Sequence, residues 1–257
     1  MKSNYRYIVK AFMAMAVIAG TTSCDDFLDR EPMSSISPET YYSTAAQLEA
    51  NLNDEYPNVL PSFGQWTYGI FGEDKGTDNQ IEVNANDRYT QDRWKVPHSE
   101  SDNWKFERIY RINFFLSEAL PKFGEDMSGS QNTISGSVAT IKHYIGEMYF
   151  LRAYEYFKKL QLFGDFPIIN QPLADEMEAL REASKRFPRN EVARFIISDL
   201  DKAYAYMSDV DMATTRINKD VAMLVKSRVA LFEATWLQNF KGTAFVPGGE
   251  GWPGASL

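Results

Sequence analysis

The 257-residue chain has a single cysteine, Cys24, and only two histidines, His98 and His143. One cysteine excludes a disulfide framework. Two isolated histidines leave little for a His-rich metal centre or for Ser/His nucleophilic chemistry, so no metal and no cofactor is expected. No apolar run is long enough to span a bilayer. Basic residues are the minority sign: 27 Lys and Arg stand against 35 Asp and Glu, for a formal charge of −8. The footprint of a nucleic-acid binder is therefore missing. Gly72-x3-Gly76 and Gly248-Gly249 lack the lysine and the strand context of a phosphate loop. What remains is an ordinary globular balance, 44% hydrophobic and 24% charged, which excludes a largely disordered chain.

The first residues read as an address. Lys2, Arg6 and Lys10 form a positive region ahead of a short apolar run, Ala11 to Ala19. That run suits a signal peptide over 1–23. Gly20, Thr21, Thr22 and Ser23 then lead to Cys24, whose thiol is placed to become the lipid-bearing first residue. Thr21 stands where a bacterial lipobox usually has leucine, so an ordinary signal peptide with an incidental cysteine stays open. A multiply acylated Cys24 anchors stably, whereas one acyl chain holds only marginally. Loss of the three leader cations takes the formal charge from −8 to −11. Residues 24–37, polar and serine-rich, read as a tether from lipid to fold.

Beyond the tether the signals are helical. Thr44 and Gln47 have capping-box spacing, which predicts a helix from Ala45 to about Tyr56, stopped by Pro57. Ser101 or Asp102 is expected to cap a second helix reaching Leu120 before Pro121, with Ile109, Ile112, Leu116 and Ala119 as its apolar stripe. A soft Gly/Ser/Asn linker follows over 124–136. The next helix is expected from Ser137 to Phe163, with Gly164 as its stop. It is apolar nearly all round, so it should be central, and Gly146 inside it predicts a close helix contact. Asn190 is expected to cap a helix to Met207, with Val192, Ile196, Leu200, Ala203 and Met207 inward. Asn218 is expected to cap the last, to Asn239, with Val221, Val225, Val229, Phe232 and Trp236 on one face. Ala153 and Phe157 show the Ala-x3-Phe spacing of tetratricopeptide helices, a weak match by itself. The fold class is all-α, built as tetratricopeptide-like helix pairs with long irregular loops.

Residues 61–100 carry no sustained period of 3.6 or 2. They are rich in Gly, Asn, Asp and Thr and also hold isolated aromatics. Irregular stretches of this length are often functional. Trp66, Tyr68, Tyr89 and Trp94 lie there beside Asp78, Asn79, Arg88 and Arg93. Aromatic faces suit the apolar side of a sugar, and Asp, Asn and Arg suit its hydroxyls. These eight are the candidate ligand-binding residues; the bland alternative is a surface loop pinned by its aromatics. Tyr149, Phe150, Tyr154, Tyr156 and Phe157 have helical spacing and read as core. Arg152 reads as a buried arginine paired with Glu147, Glu155 or another acid. No signal sets two carboxylates across a cleft, so no catalytic residue is assigned.

Together these segments resemble the SusD/RagB family of outer-membrane nutrient-binding lipoproteins. The likeness runs through Cys24-Asp25-Asp26-Phe27-Leu28-Asp29, Trp104, and Ile109-Tyr110-Arg111-Ile112-Asn113. Its most specific piece is Gly146-Glu147-Met148-Tyr149-Phe150-Leu151-Arg152-Ala153-Tyr154, continuing to Leu162-Phe163-Gly164-Asp165-Phe166-Pro167. The blocks Phe195 to Ala203, Arg216 to Ala222 and Lys226 to Leu231 follow in family order. The resemblance implies a helical, non-enzymatic protein at the cell surface, lipid-anchored in the outer membrane through Cys24. It implies capture of oligosaccharides, or of peptides in some members, for a SusC-like TonB-dependent transporter. A helical scaffold docked on the transporter without a competent ligand site is the second expectation. Family members are longer, and the turn-rich 248–257 reads as an interrupted loop. Residues 38–257 are therefore expected to be the N-terminal portion of a SusD-like helical domain.

Overall fold

The computed structural model describes residues 41–61, 79–80, 103–124, 126–208 and 215–256. The leader, Cys24 and the tether lie outside these residues. Those from Tyr42 onward belong to one unit. Among the described residues, six α-helices and one terminal 3-10 turn make up its regular structure: α1 Ala45–Val59, α2 Glu107–Phe123, α3 Val138–Phe163, α4 Met177–Ala183, α5 Arg189–Tyr206 and α6 Lys219–Asn239. Among the described residues the only sheet-like pairings are two isolated bridges, Thr44 with Ser135 and Phe166 with Phe187. The class is all-α, as the periodicity predicts.

Capping chemistry sets several ends. The Thr44 hydroxyl accepts from Gln47 N at 3.3 Å while the Gln47 amide oxygen accepts from Thr44 N at 3.0 Å, a full capping box. Ser137 and Asn218 cap α3 and α6 through Thr140 N and Val221 N. Gly164 closes α3 at φ 69°, a conformation that favours glycine.

Four expected boundaries are corrected. Pro57 and Pro121 do not stop their helices; each lies in the last turn, and α1 and α2 run two residues past it. The interior penalty of proline arises from a lost bond and a clash with the preceding turn. Here only the terminal turn carries it, and Leu60 N and Gly124 N still close onto Tyr56 O and Leu120 O. α2 starts at Glu107, later than expected, because Asn103 and Trp104 are held by tertiary contacts instead. Lys159 Nζ donates to Asn103 O at 2.7 Å, and Trp104 packs edge-on against Phe163 and Phe166. α5 starts one residue before Asn190. Its first amide, Arg189 N, donates at 2.8 Å to Asp165 Oδ1, a carboxylate from the end of α3, where the helix dipole also favours it. The 124–136 stretch is tied down rather than soft. Ser135 exchanges 2.8 Å bonds with Ser43 O and Ala45 N, and Thr133 N donates to Lys122 O at 2.8 Å.

Pairings along the helices define the array. Gly146, Arg152, Tyr156 and Gly164, in rising order on α3, meet Met207, Asp199, Phe195 and Arg189, in falling order along α5. α3 and α5 are thus antiparallel. On α6, Glu233, Lys226 and Lys219 meet Arg189, Asp201 and Tyr204, so α5 and α6 form a second antiparallel pair. Asn113 meets Arg152, and Trp104 meets Phe163, which sets α2 antiparallel to α3. The result is two helix hairpins, α2/α3 and α5/α6, joined face to face through α3 and α5.

α3 is the central element, as its all-round apolar sequence implies. Ile141, Ile145, Met148, Leu151, Ala153 and Tyr156 are fully buried. The predicted stripes of α2 and α5 are buried as well. Gly146 makes the close contact: a Cβ there would stand 2.8 Å from Met207 N and 2.9 Å from Ala203 O. On α6 the predicted face is only partly right. Val229 is buried, Val225, Phe232 and Trp236 are half-buried, and Val221 is exposed.

Candidate functional site

Of the eight candidate ligand residues, only Asn79 is described, and it is exposed. Trp66, Tyr68, Asp78, Arg88, Tyr89, Arg93 and Trp94 lie outside the described residues. So do His98 and the lipidation residue Cys24. Two clefts flank the start of α2.

One wall is apolar. Trp104, Phe106 and Tyr110 line a cleft of about 440 Å³ with Ile169, Leu173 and Leu180. Its aromatics are mutually braced. Phe106 stacks on Phe166 at 5.2 Å and 17°, Phe163 stacks on Phe166 at 5.8 Å and 18°, and Trp104 stands edge-on to both Phe163 and Phe166 at 4.8 Å. Such pairs add rigidity beyond burial. The Arg186 guanidinium covers the Trp104 ring at 4.7 Å. Tyr110 is half-open to solvent at 52% and stacks on Phe114 at 6.1 Å. The few polar groups at the rim are Gln171, Asp175 and Ser184. An apolar cleft of this size with sparse polar groups is the ordinary form of a small-ligand site.

The other wall is polar. Asn58, Asn103, Lys105, Arg108, Tyr154 and Lys158 line a cleft of about 480 Å³. Its floor is Glu155, 4% exposed and flanked by Lys158 and Lys159. Lys158 Nζ also donates to Val59 O at 3.0 Å, stitching α3 to the end of α1.

Buried charge beneath these walls belongs to the scaffold. Arg152 donates to both oxygens of Asp199 at 2.6 and 2.9 Å, to Asn113 Oδ1 at 2.9 Å and to Asn170 O at 3.1 Å. Its acid is therefore Asp199, not Glu147 or Glu155, and its role is structural. Asn113 Nδ2 and Tyr156 Oη both donate to Ile169 O, and Ile169 N donates back to Tyr156 Oη, which fixes the strand-like segment lining the apolar cleft. Burial pushes the Tyr149 hydroxyl up to about 12, against the pull of Arg152 5.3 Å from its ring. Burial likewise raises Tyr156.

Glu147 takes two bonds from Arg216, at 2.8 and 2.7 Å, and one from Tyr56 Oη at 2.7 Å. His143 Nε2 lies 3.0 Å from both Glu147 Oε1 and Ile217 O, while Nδ1 accepts from Ser208 N at 3.2 Å. His143 is thus a packing residue. Burial raises the Tyr56 hydroxyl, and the neighbouring Glu147 charge adds to the shift.

Among the described residues the five buried carboxylates, Glu55, Glu147, Glu155, Asp199 and Glu233, each face a cation. That arrangement ties each of them to the scaffold. Among the described residues, no group of three or more His, Cys, Asp or Glu is placed to hold a metal ion. No described helix is long and apolar enough to cross a membrane. Sequence reasoning named Trp104 and Tyr110 only as fold markers and missed Arg108, Lys105 and Tyr154 as cleft residues. No periodicity distinguishes a helix-start aromatic that packs inward from one that lines a cleft.

Stacked helix hairpins, with an apolar and a polar cleft at the start of α2, define the class of this molecule: an all-α helix-hairpin scaffold. Comparison with known proteins gives the family. Residues 26–231 match the SusD-like family model described as starch-binding associating with outer membrane, and the chain belongs to that family. Two SusD-like proteins of Formosa agariphila, P2 and P25, are each 25% identical to it, over 94% and 83% of this chain. The chain spans about half the length of these relatives, 46% and 41%. Among solved structures, a SusD-like protein from Bacteroides fragilis superposes with a TM-score of 0.51 at 17% identity, covering 82% of this chain and 40% of the other. A SusD-like carbohydrate binding protein from the same species gives 0.50 at 19% identity, covering 79% and 40%. These neighbours share the helical, tetratricopeptide-like fold.

Proposed function

We propose that this chain is part of a surface lipoprotein that captures oligosaccharides and passes them to a SusC-like TonB-dependent transporter in the outer membrane. It binds and does not cleave. The observation that carries the reading is the family match over residues 26–231, with its description of starch binding and outer-membrane association. The braced aromatics of the apolar cleft support it, since ring faces and fixed donors are what a pyranose needs. Cys24 carries the lipid anchor after removal of residues 1–23. The loop residues Trp66, Tyr68, Asp78, Asn79, Arg88, Tyr89, Arg93 and Trp94 supply ligand contacts.

The test is extraction from outer membranes in mild detergent, followed by mass spectrometry of the purified complex and by electrophoresis through polysaccharide gels. A large TonB-dependent barrel in stoichiometric amount and a diacyl or triacyl mass on Cys24 are expected. Trp66→Ala or Trp94→Ala is expected to speed migration through a retarding gel. New reducing ends on incubation with polysaccharide would refute a binding-only role. A docking scaffold is the second reading. It draws on α6, which exposes Leu224 at 71%, Leu231 at 67% and Met223 at 44%. That reading predicts transporter association with no polysaccharide retention.

A further inference from the structure

The same end of the two hairpins, where α3 stops and α5 begins, carries a third cleft that neither the sequence pattern nor the family match assigns. It has a volume of about 430 Å³, within the ~300–1,000 Å³ range of small-ligand sites. Trp236, Phe245 and Trp252 supply its aromatic surface, and Asp165, Arg186 and Arg189 its polar one.

Each aromatic is fixed by a named bond. Trp252 Nε1 donates to Asp165 Oδ2 at 2.9 Å, and the other oxygen of that carboxylate caps α5. Trp236 Nε1 donates to Phe245 O at 3.2 Å, and its ring lies under the Arg189 guanidinium at 4.1 Å. Arg189, 4% exposed, is held in place by three contacts of 2.9 to 3.1 Å to Glu233. The chain after α6 folds back on itself: Glu250 N donates to Gly242 O, Gly249 N to Val246 O, and Val246 is buried. Gly249 is required there, because a Cβ would stand 1.8 Å from Thr243 O. This turn holds Phe245 out at 62% exposure, an aromatic presented to solvent by an ordered backbone.

The guanidinium of Arg186 also matters. It covers Trp104 but makes no hydrogen bond or ion pair among the described residues, so its forked donors are available at the rim. Asp165 and Glu233 are already engaged. The unspent groups of this cleft are thus flat apolar faces and a donor fork. Those are complementary to a pyranose ring edged with oxygen acceptors. We infer that this cleft is a saccharide-binding subsite, with Trp252 and Phe245 as stacking faces and Arg186 bonding either the hydroxyls of a neutral sugar or the carboxylate of an acidic one. The inference rests on the glycan-binding reading and locates one place where it acts.

The whole chain is run through native gels containing soluble starch or polygalacturonate, beside Trp252→Ala, Phe245→Ala and Arg186→Ala, with thermal melting of each as a folding control. Phe245 and Arg186 are exposed, so their variants keep the fold. Loss of one stacking face is expected to weaken retention roughly fivefold to tenfold. Arg186→Ala affecting polygalacturonate more than starch identifies an acidic sugar; an equal effect identifies a neutral one. Either result upholds the subsite. Wild type retarded and all three folded variants retarded equally would overturn this cleft and leave glycan capture elsewhere on the protein intact. Wild type unretarded by both polymers would overturn glycan capture itself, and this subsite with it.

Discussion

α3 and α6 are both long helices with apolar residues all along them, yet the protein uses them differently. α3 buries 17 of its 26 residues, four of them charged. α6 buries three of its 21 and exposes Met223, Leu224 and Leu231. α3 is enclosed by α1, α2 and α5, whereas α6 is covered mainly by α5. A helix flanked on several sides can carry charge only where partners arrive from each neighbour. Arg152 satisfies this with Asp199 from α5 and Asn113 from α2, and Glu147 does so with Tyr56 from α1 and Arg216. The polar motif residues of this helix therefore lock helices together, while the residues that remain free to bind lie at helix ends and on turns.

Five variants test that contrast, the largest effect first. Arg152→Ala strands Asp199 and Asn113 in the core and should cost about 3–5 kcal/mol by chemical denaturation. Arg152→Met combined with Asp199→Leu should recover part of that loss, because no unpaired charge then remains. Gly146→Val drives a side chain into the α5 backbone and should cost about 1–3 kcal/mol, read in the same assay. Glu55→Gln should act through pH. Burial holds the Glu55 carboxyl above its ordinary value of 4.5, against the pull of Arg111. The folded chain thus binds that proton more tightly than the unfolded one, and its contribution is greatest below pH 4.5 and is lost as pH rises through the raised folded value. The variant should flatten that part of the stability-versus-pH curve and gain stability relative to wild type at neutral pH. Leu231→Ser on α6 should change stability by no more than about 0.5 kcal/mol, and a larger loss would show that its exposed face is covered after all.

Much of the helical frame was legible in the residues. Ser137 and Gly164 bracket α3, Thr44 and Gln47 open α1, and Gly146 marks a close contact, because each acts through local geometry that a short motif encodes. Pro57 and Pro121 misled by two residues, since a proline penalises a helix interior and these sit in a last turn. Asn190 misled because the α5 cap comes from Asp165, 24 positions earlier, and no local pattern reports a partner that distant. α4 is not legible in the sequence, because its seven residues are too few to establish a period. The candidate site was less legible still. Trp236 was read as an inward stripe residue and Trp252 as part of a turn-rich end, because their convergence with Asp165 exists only once α3, α5 and α6 are side by side. Trp66 to Trp94 remain a proposal made from composition.

The joint between the two hairpins has unequal ends. At one end of the α3–α5 contact stands Gly146, with only a hydrogen between the two backbones; further along stand the rings of Tyr156 and Phe195, with centroids 4.8 Å apart. The joint is therefore backbone against backbone at Gly146 and ring against ring at Tyr156. In a stack of helix pairs, a small rotation at each joint sets the curvature of the whole superhelix. A single glycine thus sets how closely the two hairpins approach beside Met207, and any side chain there would hold them apart at that point.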